Sequence, residues 1–345
     1  MENYVGIDVS LELSSICVVN ASGVVLRETK VASEPEAIVA LIKNLQLPIS
    51  RVGLEAGPLS QWLHDGISQG GYDTVLLETR HVKAALSAMV VKTDRRDARG
   101  IAQLLRMGWY RPVHRKSASS QEMRALLAGR RQMQAEAIDL EQTLRGLLRG
   151  FGMKLGDVSR GKFAARVREL TTGQDMLMKI TEPMLAAREA IWREFAKLHR
   201  EVLAIVKADE TCRRLMTAPG VGAVVSMTFR ASVDDPARFA KSKAVGAFFG
   251  LTPKRYQSGE TDVVGGITRV GDASVRSALH DAANVILSRV TRFSSLKSWA
   301  MQVAKRRGMR RAKVALARKL ATVLHRIWVD GTEFIWGQQP ATMAA

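Results

Sequence analysis

"YVGIDVSLELSSICVVNASGVVLRETKV", residues 4–31, decides the fold. Three runs rich in apolar and β-branched residues, "YVGIDVS", "SSICVVNAS" and "GVVLRETKV", follow one another closely, and Ala21-Ser22-Gly23 marks a turn between the second and third. They read as three strands in a meander of hairpins. Downstream, "EPEAIVALIKNLQ" reads as a helix, with Pro35 in its first turn and apolar residues at helical spacing. "RVGLEA" is a fourth strand, "QWLHDGISQG" a helix closed by glycine, and "DTVLLET" a fifth strand. Strand-strand-strand-helix-strand-helix-strand is the element order of an RNase H-like sheet.

Further along, strand signals fade. "SSQEMRALLAGRRQMQAEAIDLEQTLRGLLRGFG" and "DMLMKITEPMLAAREAIWREFAKLHREVLAIVKADETCRRLM" are long, apolar at three-and-four spacing and rich in helix formers. With the glycine-bearing "GMKLGDVSRGK" between them they read as an antiparallel helical hairpin, either a dimerisation arm or an ordinary helical subdomain. From residue 216, "APGVGAV", "FGLTPKRYQSGE", "VVGGITRVGDAS" and "SVRSALHDAANVILSRV" alternate loops with helices. The expected class is α/β plus α. An RNase H-like (RuvC-like) domain spans 1–115, a helical coiled-coil segment 116–212, a mainly helical C-terminal domain 213–330, and a tail 331–345.

Charge narrows the partners. The 345 residues carry a formal net charge of +19, with 46% hydrophobic residues for real cores. A surplus of that size points to a polyanion, nucleic acid before an anionic membrane. No run of about 18 apolar residues exists. Cys17 and Cys212 give neither metal-ligand spacing nor a disulfide framework, as expected of an intracellular chain in a reducing compartment. From Ala282 to Val329 there is no acid, yet the span holds Arg306, Arg307, Arg310 and Arg311 among its many cations. A run this one-sided is expected to face phosphates.

Against that background the acids stand out. Asp8 lies inside the first strand's apolar run, and Glu55 ends the fourth strand. In an RNase H-like sheet these strands are neighbours, so the two carboxylates converge. Asp94 and Asp97, in "KTDRRDARGIAQLLR", open the helix after the fifth strand and share one of its faces. Four hard oxygen ligands suit Mg²⁺ or Mn²⁺, and two such ions could polarise a phosphodiester. Lys92, Arg95 and Arg96 would hold the phosphates the metal acts on. "GIDVS" with a hairpin also opens actin-like sugar kinases, where the aspartate serves Mg-ATP. Their second glycine-rich hairpin has only "VVGGITRVG" as a faint counterpart. "APGVGAV" reads either as a phosphate-gripping hairpin or as a plain helix-helix turn. Trp109-Tyr110 could stack on a base, though core packing is the commoner use of such residues.

Taken in order, "GIDVS", "GLEAGPLSQWL", "VKTDRRDARGIAQLL", "APGVGAVVSMTF", "FGLTPKRYQSGE" and "GITRVGDASVRSALHDAA" resemble the DEDD transposases of bacterial insertion sequences, the IS-one-ten family with its IS-eleven-eleven branch. The likeness runs from about residue 4 to residue 330. It implies a RuvC-like domain whose four acids map to Asp8, Glu55, Asp94 and Asp97, a coiled-coil insertion and a C-terminal transposase domain. It implies further that Ser258 attacks a DNA phosphate with metal help and forms a covalent link, with Lys254 and Arg255 beside it. Ser242 and Thr261 are the local rivals of Ser258. The implied partners are element-junction and target DNA, a structured noncoding RNA that reads sequence by base pairing, and further copies in a dimer or tetramer. The implied setting is the bacterial cytoplasm, at the nucleoid, with no membrane. Two departures are Trp62, later than an expected tyrosine, and Asp272, where the family often carries a base or asparagine. The rival readings are a RuvC-like metal-dependent junction endonuclease without a covalent intermediate, a non-enzymatic nucleic-acid scaffold, and the actin-like kinase.

Overall fold

A computed structural model describes residues 2–87 and 93–337. Lys92, expected to hold phosphate, lies outside the described residues. The chain forms two compact units, Met1–Lys116 and Ser117–Ala345.

The first unit is built on a five-stranded sheet of order β3-β2-β1-β4-β5. Strands β1 (Asn3–Asp8), β2 (Leu13–Asn20) and β3 (Val25–Ala32) form the antiparallel meander. Helix α1 (Pro35–Asn44), with Pro35 at its start, returns the chain so that β4 (Ile49–Glu55) lies parallel to β1. Helix α2 (Ser60–Gln69) then does the same for β5 (Thr74–Leu77). This is the RNase H-like arrangement that the element order implied.

Strand alternation divides the residues between two cores. Val5, Ile7, Ile16, Val18, Val52 and Leu54 pack against Ile38 and Ile42 of α1 and Leu63 and Ile67 of α2. On the opposite face Cys17, Val19 and Leu77 meet α4 (Asp94–Arg106) through Ala98, Ala102, Ile101, Leu104 and Leu105. A short helix, α3 (Thr79–Leu86), follows β5. Gly6 and Gly53 face α4. A Cβ at Gly6 would lie 2.2 Å from the Ala98 carbonyl oxygen, and one at Gly53 2.7 Å from Leu105 Cδ1. The missing side chains are what let the helix lie flat on the sheet.

In the second unit α5 (Ala118–Gly150) and α7 (Asp175–Ala208) run antiparallel. Leu144 and Leu148 late in α5 meet Leu177 and Leu185 early in α7, with Phe163 and Val167 of α6 (Phe163–Thr171) capping that end. Met123 at the start of α5 meets Val202 and Val206 at the end of α7. The expectation of a coiled coil goes no further here than this antiparallel pair. Buried Arg188 bridges the two helices, 2.6 Å from Glu141, and donates a further hydrogen bond to the Arg160 carbonyl at 3.0 Å. Asp209 ends α7 by accepting the Cys212 N–H at 2.7 Å, which starts α8 (Glu210–Leu215).

The remaining helices, α9 (Ala223–Val233), α10 (Lys243–Phe248), α11 (Ala273–Ser288), α12 (Ser295–Arg307) and α13 (Met309–Asp330), enclose a core around Phe229, Phe249, Leu279, Ala317 and Leu320. "APGVGAV" is the turn between α8 and α9. Gly220, at φ +72°, brings its backbone so close to α11 that a Cβ would lie 2.5 Å from the Ala282 carbonyl oxygen. One expectation is corrected. The stretches around Ser258, read as loops, form a hairpin of β6 (Pro253–Ser258) and β7 (Thr261–Ile267). Nearly all its residues are exposed, so the apolar alternation that announces a strand is missing. Among the described residues no helix is long and apolar enough to cross a membrane.

Candidate active site and nucleic-acid interface

The register of the first sheet places four functional side chains in a row on the α4 face. Lys30 of β3 is opposite Ser15 of β2, and Ser15 is opposite Asp8 of β1. Asp8 and Glu55 each follow the last registered pair of their strands, Ile7 with Leu54. Both therefore stand at the carboxyl ends of adjacent parallel strands. They lie two residues beyond Gly6 and Gly53, which fixes their face. The first turn of α4 reaches the Lys30 end of the row Lys30–Ser15–Asp8–Glu55. Thr93 caps that helix, its hydroxyl accepting the Arg96 N–H at 3.3 Å, and Asp94 and Asp97 sit where a helix N-terminus favours negative charge.

The row does not close into a cluster. Among the described residues no three of His, Cys, Asp and Glu gather tightly enough to hold a metal ion. Asp94 is turned toward β3, where Lys30 Nζ lies 3.3 Å from its carboxylate. Arg95, beside it, pairs with Glu28 of the same strand. Asp97, one helical turn before Ile101, is half-buried. Ser15 Oγ is buried in the row without a hydrogen-bond partner. The donor chemistry and the placement at one end of the sheet fit a hard divalent cation. The gathered ligand set is not formed.

Ser258 ends β6 in the second unit, paired in register with Thr261 across Gly259 and Glu260. Gly259 has φ +55°, which suits glycine at the first central position of a two-residue hairpin turn. Ser258 and Thr261 are both exposed at the tip. Lys254 is exposed as well. Arg255 is clamped to Asp262 across the hairpin by two hydrogen bonds of 2.8 and 2.6 Å, which hold the Asp262 carboxyl below its usual range. The other rival hydroxyl has a partner that sequence spacing hid. Ser242 Oγ lies 2.9 Å from Nδ1 of buried His325, whose Nε2 lies 3.0 Å from the Pro236 carbonyl oxygen. A carbonyl only accepts, so Nε2 carries the proton and, in the neutral ring, Nδ1 accepts from Ser242.

Arg306 and Arg307 in the last turn of α12 and Arg310 and Arg311 in the first turn of α13 are exposed on either side of Gly308, at φ +81°. Asp272 N-caps α11 through the Ser274 N–H at 2.8 Å and accepts a hydrogen bond from Arg124 of α5. Of the expected base-stacking pair, Trp109 is exposed with its ring edge-on to His81, and Tyr110 accepts a hydrogen bond from Arg51 at 2.6 Å.

Sheet order defines an RNase H-like core, and comparison with known proteins makes the class that of a transposase. Residues 5–153 match the DEDD transposase model of IS110, and residues 212–300 match that of the transposase IS116/IS110/IS902 family. The chain belongs to this IS110 family of DEDD transposases. It is 28% identical over 328 residues to the transposase of insertion sequence element IS1111A from Coxiella burnetii, covering 92% of this chain and 87% of that one. It is 25% identical to the transposase of element IS1328 from Yersinia enterocolitica, covering 82% and 85%. A solved Thermus thermophilus RuvC in complex with a Holliday junction substrate aligns at 15% identity and TM-score 0.26, covering 33% of this chain and 100% of that one. At that score the RuvC likeness adds nothing to the topology already described.

Proposed function

We propose that this chain is an insertion-sequence transposase that cuts and rejoins DNA through a covalent serine–phosphate intermediate, its acid row binding a divalent cation. The observation that carries the reading is the pair Asp8 and Glu55 on adjacent parallel strand ends, on the sheet face that packs against α4, whose first turn carries Asp94 and Asp97. Ser258 Oγ forms the bond to phosphorus. One bridging P–O bond breaks, the leaving oxygen takes a proton, and the serine gives one up to solvent. Rejoining reverses these steps with a new DNA hydroxyl. A divalent cation, Mg²⁺ or Mn²⁺, bound by Asp8, Glu55, Asp94 and Asp97 would neutralise charge on the phosphodiester. Lys30 balances the charge of Asp94, and the exposed arginines around Gly308 hold DNA phosphates. The resemblance to the family supports guidance by an element-encoded noncoding RNA.

A second reading of the nucleophile rests on the Ser242–His325 contact. A hydroxyl donating to a neutral imidazole whose other nitrogen is held by a carbonyl is the relation of nucleophile, base and orienting group. It favours Ser242 on geometry, while exposure at a hairpin tip and the family motif favour Ser258.

The test is denaturing-gel trapping of protein on labelled element-junction DNA with Mg²⁺ and the element's RNA. Wild type is compared with Ser258→Ala, Ser242→Ala and Asp8→Asn. An adduct lost in Ser258→Ala and Asp8→Asn but kept in Ser242→Ala is the expected result. Loss in Ser242→Ala alone moves the nucleophile. Cleavage without any adduct identifies a junction endonuclease.

A further inference from the structure

A large groove in the second unit takes in three of the arginines around Gly308, Arg307, Arg310 and Arg311. Its volume is about 1310 Å³. One wall is the base of the β6–β7 hairpin, with Pro253, Val264 and Ile267, and the other carries Trp299, Val303 and Val314 from α12 and α13. Six cations line it: Lys243, Arg307, Arg310, Arg311, Arg318 and Lys319. No acid does. The nearby ion pairs, Arg255 with Asp262 and Arg326 with Asp330, leave all six out. Lys319 Nζ sits 4.1 Å above the Trp299 ring.

Three physical points narrow the occupant. Crowding six like charges costs free energy that an anionic ligand recovers, and Arg310 and Arg311 also oppose the dipole at the start of α13. The groove exceeds the roughly 300–1,000 Å³ of small-molecule sites, which favours a polymer. The walls are apolar. A duplex presents phosphates and hides its base faces, so it would need the cations alone. A single strand offers phosphates to cations and base faces to apolar and aromatic walls.

From this we infer that the groove holds a single-stranded segment of DNA beside the hairpin. The inference rests on the reading of the chain as a DNA transposase. It deepens that reading by naming the form of the substrate. β6 runs from the groove wall at Pro253 to Ser258, about 17 Å at strand rise, so the hairpin would lead the bound strand toward the hydroxyl.

Fluorescence anisotropy on the full chain tests it, with labelled oligothymidine, oligouridine and a mixed-sequence duplex at several salt concentrations. Oligothymidine is expected to bind more tightly than the duplex, with a log–log salt slope of about −3 for some four phosphates. Val264→Asp, an exposed position, lowers the single-strand-to-duplex preference about tenfold. Arg310→Gln with Arg311→Gln reduces the slope by about 1.4. Equal binding of duplex and single strand, with no effect of Val264→Asp on their ratio, would overturn the inference in favour of a duplex backbone track. Tighter binding of oligouridine would overturn the DNA assignment in favour of RNA. Adduct trapping by Ser258 is scored separately, so loss of the groove reading and loss of the transposase reading give different results.

Discussion

Lys30 Nζ, on β3, lies 3.3 Å from Asp94 Oδ2 in the first turn of α4, both side chains about half exposed. The lysine stands at one end of the row that holds Asp8 and Glu55, and its charge occupies the carboxylate that a cation would otherwise use. An exposed pair contributes about 0–1 kcal/mol. Lys30→Gln therefore leaves the melting temperature nearly unchanged. It tightens Mn²⁺ binding up to about fivefold, as read by calorimetry on the DNA-free protein. Unchanged Mn²⁺ affinity would mean that Asp94 is not a ligand.

The contact of α4 with the sheet depends on Gly6. Its Cβ would meet the Ala98 carbonyl oxygen and the Ala102 nitrogen, both backbone. Gly6→Ala is expected to cost about 2–3 kcal/mol in urea denaturation and to displace the first turn of α4. Adduct formation should fall with it, although no acid has been changed.

Arg188 is a buried charge that also stacks over the Phe163 ring, 4.7 Å from its centroid. Removing it leaves Glu141 without its countercharge. Arg188→Met is expected to lose about 3–5 kcal/mol, little affected by salt, while Arg188→Met combined with Glu141→Leu recovers much of the loss. A double variant no more stable than the single one would refute this account of the pair.

Burial works against ionising Asp272, but the hydrogen bond and charge of Arg124 and the N–H of Ser274 outweigh it and hold the carboxyl below its usual range. A depressed carboxyl contributes stability above its unfolded value, near pH 4, and loses it as pH falls through the folded value. Asp272→Asn keeps the helix cap and loses the ion pair. Its deficit against wild type, about 1–2 kcal/mol at pH 7, should shrink below pH 4 in urea titrations.

Burial pushes both thiols, Cys17 and Cys212, up to about 12. Neither should react with a thiol reagent at pH 8 in the folded protein, and both should react in guanidinium.

The strands, the helix breaks at Pro35 and Gly70, and the opening of α4 at two aspartates were legible because each is local. An apolar period, a proline or a capping residue acts within a few positions. The β6–β7 hairpin was not legible, since exposed strands carry no apolar alternation. Lys30 and His325 escaped for another reason. Each meets its partner, Asp94 or Ser242, more than 60 residues away, and only strand register or helix packing makes the meeting.

The sequence by itself determined the strand order of the first unit's sheet, the excess of positive charge, the acids and the family motifs, because composition and short-range periodicity suffice for these. Tertiary structure decided that Asp94 pairs with Lys30, that Ser242 bonds His325, and that six scattered cations ring one apolar groove. Those relations depend on which side of a strand or helix a residue takes once distant segments pack, and chain-local preference does not encode that.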